Sequence, residues 1–387
     1  MPEAVIVDTL RTPIGRAFKG SLTQVRPDDM GAYVVDQLLD RHPEVDPASV
    51  NDLICGCGMT QGEQAYNIGR IMVLLSEKLP DQVTGSTIAR YCASSLNAIR
   101  IAADSIKAGD GDIYIAAGVE SVSRAGPHSE ATLPDTQNPK LQGRDGTHNA
   151  YIAMGETAEN VVERYGVKRE DMDRYAKRSQ DLAVEARDDG FFDREIVGVE
   201  TPDHGVVDKD DGPRPGTTLE KLAELKPSFR EGGSVTAGNS CPLNDGAAAV
   251  ILMSEDKAKE LGLKPRARVL ASATSGLEPE VMGVAPIGAI RNVLDRSGMK
   301  IDDVDVVELN EAFAAQVLPI MDECNIPIEK LNPHGGAIAL GHPFGMTGAR
   351  IMCTLLNDLE TMDKTIGLET MCVAGGQGMA MLVERLN

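Results

Sequence analysis

The sequence predicts an α/β protein made of two similar halves, with a segment of different character inserted between them. Short strands rich in Val, Ile, Ala and Gly alternate with longer amphipathic helices, once early and once late in the chain. Such alternation is typical of a mostly parallel sheet covered by helices. The 387 residues, 42% of them hydrophobic, suffice for two or three domains with substantial cores.

Hydrophobic periodicity places the elements of each half. In the first half we expect strands at Ala4–Asp8, Asp52–Cys57 and Ile113–Ala117, and helices at Met30–Arg41 and Ser94–Ala108. In the second half the same alternation returns, with strands at Arg268–Ser275, Asp305–Glu308 and Glu369–Val373 and helices at Ile287–Ser297 and Thr347–Leu359.

The segment between the halves carries fewer strands and more Pro, Gly and charge. It contains a loop at His128–Asn149, helices at Thr157–Tyr165 and Arg169–Asp188, and a polar stretch at Asp203–Thr218. Inserted segments of this kind often cover a functional site. We therefore expect a subdomain here that lies over a site formed by the two halves.

The formal charge of −21 excludes some classes of partner. So acidic a surface argues against binding to nucleic acid or to an anionic membrane, and an anionic ligand would need Lys and Arg gathered locally. No apolar run approaches the roughly 20 residues of a membrane span, and no secretory signal pattern is present. Seven cysteines, an odd number, fit a reducing compartment, so we expect a cytoplasmic protein.

The two halves resemble each other in sequence. Residues 34–56 can be aligned with 289–311, and 91–101 with 341–351. In the second alignment Cys92 and His342 each precede an Arg-Ile pair by eight residues. If the halves are copies of one fold related by a pseudo-twofold axis, both residues precede a helix, and the two helix N-termini approach a shared centre. The identity is weak, which leaves chance similarity open.

Cys92 is the first candidate for chemistry. A buried apolar cysteine is the ordinary alternative. Three features favour reactivity: the predicted helix that follows, the small neighbours in "CASSL", and the histidine at the corresponding place in the other half. A helix N-terminus stabilises a thiolate, so we expect the pKa of Cys92 to be lowered.

His342 and Cys372 are further candidates. His342 lies in "GGAIALGHPFGMTGAR", where glycines permit close approach of a ligand and Pro343 can open a helix; as a neutral imidazole it could accept the proton of a nearby thiol. Cys372 joins a strand to the run "AGGQG", whose backbone N–H groups could bind an oxyanion. The alternatives are a satisfied core or surface histidine and a cysteine beside a hairpin.

Asn310 lies at the carboxyl end of a predicted strand, where ligand sites of α/β sheets gather. The alternative is a helix cap for a helix that starts near Ala312. Cys55 and Cys57 lack a second ligand pair for zinc and are predicted to pack in a strand, and Cys324 and Cys353 are predicted to be core residues. No nucleotide-binding glycine motif is present, and a cysteine protease would not need duplicated halves.

Taken in order, "RTPIGR", "CASSL", "GVESVSR", "MGETAENV", "VTAGNSCPLNDGAAA", "NEAFA", "GGAIALGHPFGMTGAR" and "CVAGGQG" closely resemble the thiolase family over residues 4–384. The resemblance implies two similar βαβαβαββ halves in an α/β/α/β/α arrangement with a loop domain. It implies an N-terminal domain of residues 1–119 and 246–265, a CoA-binding loop domain of residues 120–245, and a C-terminal domain of residues 266–387. It also implies a homodimer or homotetramer.

The resemblance further implies reversible Claisen chemistry on coenzyme A thioesters, with CoA and acyl-CoA as substrates, no tightly bound cofactor and no metal. Cys92 would be the nucleophile, His342 its base and Cys372 the acid and base for the second substrate. Asn310 would fix a water, and the backbone N–H groups of Cys92 and Ala374 would bind an oxyanion. Matching positions imply CoA contacts from Met154, Arg214, Phe229, Ala237, Gly238, Met282, Ala312 and Phe313, although the apolar ones could be core and Arg214 a solvated charge.

The sequence departs from the family pattern at four places: Ala93 and Ala374 stand where Gly is usual, Cys241 where Ser is usual, and Ala153 where biosynthetic relatives have His. The change at Ala153, with "TQGEQAYNIGR", favours a degradative enzyme that cleaves 3-ketoacyl-CoA with CoA, as in β-oxidation. The alternatives are an acetyl-CoA acetyltransferase that forms acetoacetyl-CoA and, more remotely, a non-catalytic protein that binds CoA thioesters.

Overall fold

The structure is a computed structural model that describes residues 2–126, 136–144 and 146–387. Part of the predicted loop His128–Asn149 lies outside the described residues. In its described part the chain is irregular, with one turn of 3₁₀ helix at Pro139–Leu141 and a bridge between Gln142 and Asn149.

Strands and helices alternate along the described residues. The strands are β1 Ala4–Arg11, β2 Gly15–Arg16, β3 Asp52–Gly56, β4 Thr84–Ile88, β5 Ile113–Ser121, β6 Val199–Thr201, β7 Gly205–Val207, β8 Asn244–Ser254, β9 Ala267–Gly276, β10 Val306–Leu309, β11 Ile366–Val373 and β12 Gln377–Arg385. The α-helices are α1 Pro27–Asp40, α2 Ile68–Leu75, α3 Ser94–Ala108, α4 Val122–Ala125, α5 Met154–Tyr165, α6 Arg169–Asp188, α7 Leu219–Ala223, α8 Glu255–Glu260, α9 Pro286–Ser297, α10 Ala314–Glu323, α11 Ala337–Leu340 and α12 Thr347–Thr361.

The large sheet corrects the prediction of mostly parallel pairing. Its strands follow the order β10-β11-β12-β9-β1-β8-β5-β3-β4, with β2 added beside β8. Parallel pairs occur only towards the two flanks, at β10–β11 and at β5–β3–β4, while the strands between them pair antiparallel. The reason is that β8 and β12 each run antiparallel to both of the strands beside them, so each half contributes antiparallel pairs to the middle of the sheet.

The strands divide the interior into three hydrophobic layers. Because side chains alternate across a strand, Ile6 of β1 faces a central core while Val5 faces an outer one. On β11, Met371 and Leu368 divide in the same way between the central core and the other outer core. Helices α3 and α12 fill the central layer, α1 and α2 cover one outer face, and α9 and α10 cover the other. Three layers of helices separated by two layers of strands make up the predicted five-layer arrangement.

Helices α3 and α12 hold the corresponding positions in the two halves and pack against each other. Gly348 of α12 makes this approach possible, because a Cβ there would lie 2.2 Å from the backbone nitrogen of Leu96. Cys92 lies two residues before α3 and His342 five residues before α12, so the two residues hold comparable positions in the two halves. The prediction that Pro343 opens a helix was wrong, since α12 begins at Thr347.

No helix in the described part of the chain is both long and apolar enough to cross a bilayer. The proposed division of the chain into three domains stays a prediction.

We expect Gly348→Ala to lower the free energy of unfolding by about 1–3 kcal/mol, because the new methyl group would press on the Leu96 backbone. The measurement is the midpoint of thermal unfolding. Gly276→Ala is the matched control, since a Cβ there would meet only the Gly376 carbonyl oxygen, at 3.9 Å. Equal midpoints for the two variants would contradict this account of the α3–α12 contact.

Candidate active site

Cys92 is held in a tight turn between β4 and α3. The turn is a short 3₁₀ helix, Tyr91–Ala93, and Tyr91 has a positive φ of 43°. Ser94 fastens the turn, because its Oγ accepts the backbone N–H of Arg90 at 2.9 Å and donates to the Tyr91 carbonyl at 2.6 Å. A strained non-glycine residue beside a predicted nucleophile is typical of a functional turn. Ala93 itself has a negative φ, so Ala fits where the family usually has Gly.

His342 lies in the loop between α11 and α12 with its ring fully enclosed. Asn244 fixes the backbone, since its Oδ1 accepts the His342 N–H at 2.9 Å, and Gly341 adopts a φ of 114° that admits the bend. The ring contacts Thr347 through Nδ1 at 2.7 Å and Asn310 through Nε2 at 3.3 Å.

The hydrogen bonds of Thr347 determine which ring nitrogen of His342 carries the proton. The single hydroxyl proton of Thr347 is donated to the Pro343 carbonyl at 2.8 Å, so the hydroxyl accepts from Nδ1–H of His342. Nε2 is therefore the unprotonated nitrogen, and the Asn310 amide donates to it. Burial, reinforced by the charge of Arg350, lowers the pKa of His342 to about 3, which keeps the imidazole neutral. The ring is thus ready to accept a proton at Nε2.

Cys372 lies at the end of β11, before a turn formed by Gly375 and Gly376, both with positive φ. Ala374 is outside the left-handed region, so the turn accommodates its Cβ where the family usually has Gly. The backbone N–H of Ala374 lies near the thiol of Cys92 and opposes the rise of its pKa. The hairpin therefore joins Cys372 and the Cys92 turn in one place.

Three thiols lie close to one another, because Cys92, Cys372 and Cys241 all interact electrostatically. Burial raises the pKa of Cys92 well above its ordinary value, and the neighbouring thiols add to this rise. The prediction of a lowered pKa was wrong: Cys92 is only 8% exposed, and desolvation outweighs the helix α3 that follows it. Cys92 is therefore a thiol at rest and needs a base to become nucleophilic.

The alternative role of Asn310 as a helix cap is excluded. Helix α10 begins at Ala314, with Phe313 as its first flanking residue. Asn310 instead lies buried after β10, with its Nδ2 on His342 and its Oδ1 without a hydrogen-bond partner among the described residues. The structure thus pairs Asn310 with His342 and Cys92 with Cys372, and Glu120, which acts on Cys92 and accepts the N–H of Gly345 in the His342 loop, links the two pairs.

The predicted CoA residues fall into two neighbouring groups. Arg214, Ala237 and Gly238 line one cavity of about 300 Å³, together with Lys221. The other five residues form an apolar set beside the site: Met154, Phe229, Met282, Ala312 and Phe313. In this set the rings of Phe229 and Phe313 meet edge to face, with their centroids 5.9 Å apart. Phe229 is 43% exposed, so this apolar set reaches the surface. A larger cavity, of about 650 Å³, lies between α6 and α10 and contains none of the predicted site residues.

Sequence reasoning missed the buried carboxylate that joins the two halves at the site. Glu120, at the end of β5, accepts the backbone N–H groups of Gly58 at 2.8 Å and Met59 at 3.1 Å, and the side chain of Gln64. It also accepts the N–H of Gly345, in the His342 loop, at 2.8 Å. The signal was present in "GVESVSR", but nothing local shows that this Glu points inward.

A buried charged cluster lies behind Asn310 and His342. Glu308 of β10 and Glu369 of β11 are register neighbours, and Arg350 and Asp358 of α12 join them. Burial raises the pKa of all three carboxyl groups well above their ordinary values, and Glu308 and Asp358 share a hydrogen bond. The cluster therefore binds protons more tightly than the same groups do in the unfolded chain. Within the described ranges, no group of three or more His, Cys, Asp and Glu side chains is arranged to hold a metal ion.

Family models match the chain along nearly its whole length: the thiolase N-terminal domain over residues 4–256 and the thiolase C-terminal domain over residues 263–385. The chain belongs to the thiolase family. It is accordingly an enzyme of the acyltransferase class, and the predicted fold is confirmed.

Thiolases of known sequence and structure align with the chain end to end. It is 46% identical to the 3-oxoadipyl-CoA/3-oxo-5,6-dehydrosuberyl-CoA thiolase of Escherichia coli K12, covering 100% of both chains. It is 43% identical to the 3-ketoacyl-CoA thiolase of Saccharophagus degradans, covering 99% of this chain and 98% of that one. The dimeric peroxisomal thiolase of Saccharomyces cerevisiae superimposes with a TM-score of 0.93 at 35% identity, covering 100% and 98%.

We expect Thr347→Val to lower kcat for thiolysis roughly 10- to 100-fold, because Nδ1–H of His342 loses its acceptor and the base loses its fixed tautomer. The KM for the thioester should change little. Steady-state kinetics provide the measurement, and Thr354→Val, a buried threonine on the same helix whose hydroxyl does not touch His342, is the matched control. A KM effect alone, or equal losses in both variants, would contradict the assignment.

We expect Glu369→Gln to stabilise the fold at pH 8 by about 1 kcal/mol or more and to have no such effect near pH 4. The folded pKa of Glu369 lies above the unfolded value, so its contribution is complete at low pH and is lost as pH rises towards the folded pKa. Gln is neutral at every pH and avoids this loss. Unfolding midpoints at the two pH values provide the test, and a variant less stable than wild type at pH 8 would refute it.

Proposed function

We propose that the chain is a degradative thiolase that cleaves a 3-ketoacyl-CoA with CoA, giving acetyl-CoA and a shortened acyl-CoA. The observation that best supports the proposal is the unprotonated Nε2 of His342 in a site shared with two buried thiols, Cys92 and Cys372. A neutral base, a nucleophilic thiol and a second thiol are the groups that a two-step acyl transfer through a cysteine requires.

In the first step, Nε2 of His342 takes the proton of Cys92, and the thiolate attacks the ketone carbon of the substrate. The bond between C2 and C3 breaks, which leaves the acyl group on Cys92 and the enolate of acetyl-CoA. Cys372 gives its proton to the enolate carbon and becomes a thiolate, and acetyl-CoA leaves. Asn310, whose Oδ1 is buried and unpartnered among the described residues, would hold a water that stabilises the enolate oxygen with His342.

In the second step, the thiolate of Cys372 takes the proton of an incoming CoA thiol. The CoA thiolate attacks the acyl group on Cys92, with the oxyanion held by the backbone N–H groups of Cys92 and Ala374. Cys92 leaves as a thiolate and recovers its proton from His342. Each group returns to its starting state, so the cycle needs no tightly bound cofactor.

The insertion would bind CoA. Arg214 and Lys221 line the same cavity. Burial and the nearby Arg16 lower the pKa of Arg214. An anionic ligand would therefore relieve the repulsion between Arg214 and Arg16. Phe229, Phe313 and Met154 would line the path of the pantetheine arm. The family comparison also supports a homodimer, because the yeast relative is described as dimeric.

The experiment measures CoA-dependent thiolysis of 3-ketoacyl-CoAs of increasing length, with 3-oxoadipyl-CoA included because one relative is named for it. We expect acetyl-CoA release by the wild type and loss of about 1000-fold or more in Cys92→Ser, since a hydroxyl is a far weaker nucleophile at this pH. The profile over chain length then identifies the acyl group.

Turnover limited to acetoacetyl-CoA would favour the acetyltransferase instead. Retained CoA binding without any turnover, and without an acyl adduct on Cys92, would refute the proposal and favour a binding protein. Cys55→Ser, at a buried cysteine outside the site, is the control for the loss of a sulfur atom in the core.

A further inference from the structure

Gln316 of α10 makes direct contact with Cys372. Its Nε2 donates a hydrogen bond to the Cys372 sulfur at 3.0 Å, and both side chains are fully buried. The other end of the amide, Oε1, is buried and has no hydrogen-bond partner among the described residues. The amide is therefore held by the sulfur of Cys372.

The surroundings of Gln316 are otherwise apolar. Its sequence neighbours Ala315 and Val317 on α10 belong to the hydrophobic core on this face of the sheet, as does Cys372 itself. Burying an amide in such surroundings is unfavourable unless it gains a specific interaction. The chain also leaves room for it, because a Cβ at Gly283 would lie 2.9 Å from Oε1. These features indicate that the contact with sulfur is the reason for a glutamine here.

We propose that Gln316 is a positioning residue that orients Cys372 and stabilises its thiolate during turnover. The inference rests on the proposed function, in which Cys372 is a thiolate only after it has protonated the acetyl-CoA enolate and before it takes the proton of CoA. An N–H donor favours the charged form of an acceptor, so the amide would hold the sulfur ready for the second proton transfer.

Among the described residues, no other side chain supplies this stabilisation, and the Cys372 backbone adds a smaller effect. The titratable side chains that face it are Cys92, in the turn before α3, and Cys241, in the loop before β8, and both are neutral thiols with raised pKa. His342, in the same site, is neutral. Burial raises the pKa of Cys372 to about 11, and the hydrogen bond from Gln316 is the largest effect that opposes this rise.

The first test is exchange of the methyl protons of acetyl-CoA for deuterium in D₂O, which requires the thiolate of Cys372 to remove a proton from carbon. We expect Gln316→Met, which keeps the length and loses the N–H donor, to slow the exchange roughly 10-fold or more at fixed pH. The pH at which the exchange rate rises should increase by about one unit. A loss of rate without that displacement would show a merely structural role and overturn the proposal.

Val317→Ala is the matched control, because it loosens the next buried position of the same helix without removing a donor. It should lower the unfolding midpoint and leave the pH dependence of exchange where the wild type has it. An equal displacement in Val317→Ala would also overturn the proposal.

A second test does not depend on turnover. The rate of alkylation of Cys372 by iodoacetamide at pH 8, followed by peptide mass spectrometry, is proportional to its thiolate fraction. We expect it to fall roughly 10-fold in Gln316→Met, while Cys241, partly exposed beside it, reports access in the same molecules. Unchanged alkylation of Cys372 would overturn the role of Gln316. Slower alkylation in a protein that shows no thiolysis would preserve that role and refute the proposed function instead.

Discussion

The site depends first on the carboxylate of Glu120, because it accepts N–H groups from both halves beside the chemistry. It accepts N–H groups from the loop at Gly58 and from Gly345, which lies three residues after His342. The halves also meet through the β1–β9 pair and through apolar packing of α3 on α12, and the apolar packing is non-directional and would tolerate small displacements. A fully enclosed carboxylate with four donors allows far less movement, since a displaced donor would be buried without a partner. Glu311 acts similarly on the insertion, accepting from Tyr175 and Ser179 of α6.

The second constraint is that the groups that exchange protons are neutral at rest. His342 is an uncharged imidazole, and Cys92 and Cys372 are thiols with raised pKa, all because the surrounding core removes water. A charge therefore forms only when a proton moves between these groups, and it forms beside N–H dipoles that stabilise it. In such a medium a fixed N–H donor has a larger effect on a developing anion than it would have in water. The low polarity that opposes a resting thiolate thus strengthens each donor that stabilises a transient one.

Local sequence predicted the elements whose periodicity is complete, and α3 and α6 were predicted with their observed bounds. It did not predict β8, "NDGAAAVILMS", because a strand buried on both faces shows no alternation and its alanines carry little strand propensity. Cys92, His342 and Cys372 were predicted because glycines and small residues mark them locally, and Asn310 because it follows a predicted strand. Thr347 and Gln316 were not, because their importance lies in one contact each with a residue far away or hidden in the fold. The pKa of Cys92 was mispredicted because a helix N-terminus can be read locally, whereas burial depends on the whole structure.

His342 and Cys372 carry the protons in the site, and they therefore differ less in their own chemistry than in their hydrogen-bond partners. His342 meets a hydroxyl whose only proton is committed to Pro343, so the ring must donate at Nδ1 and accept at Nε2. Cys372 meets the Nε2–H of an amide whose Oε1 has no hydrogen-bond partner among the described residues, so its sulfur receives a donor that favours the thiolate. A partner with one fixed polarity suits a base that must be neutral whenever substrate arrives. A donor on the sulfur suits a group that must give up its proton and then act as a base within one turnover. The same apolar core can accordingly hold both, because one hydrogen bond at each residue is enough to separate their roles.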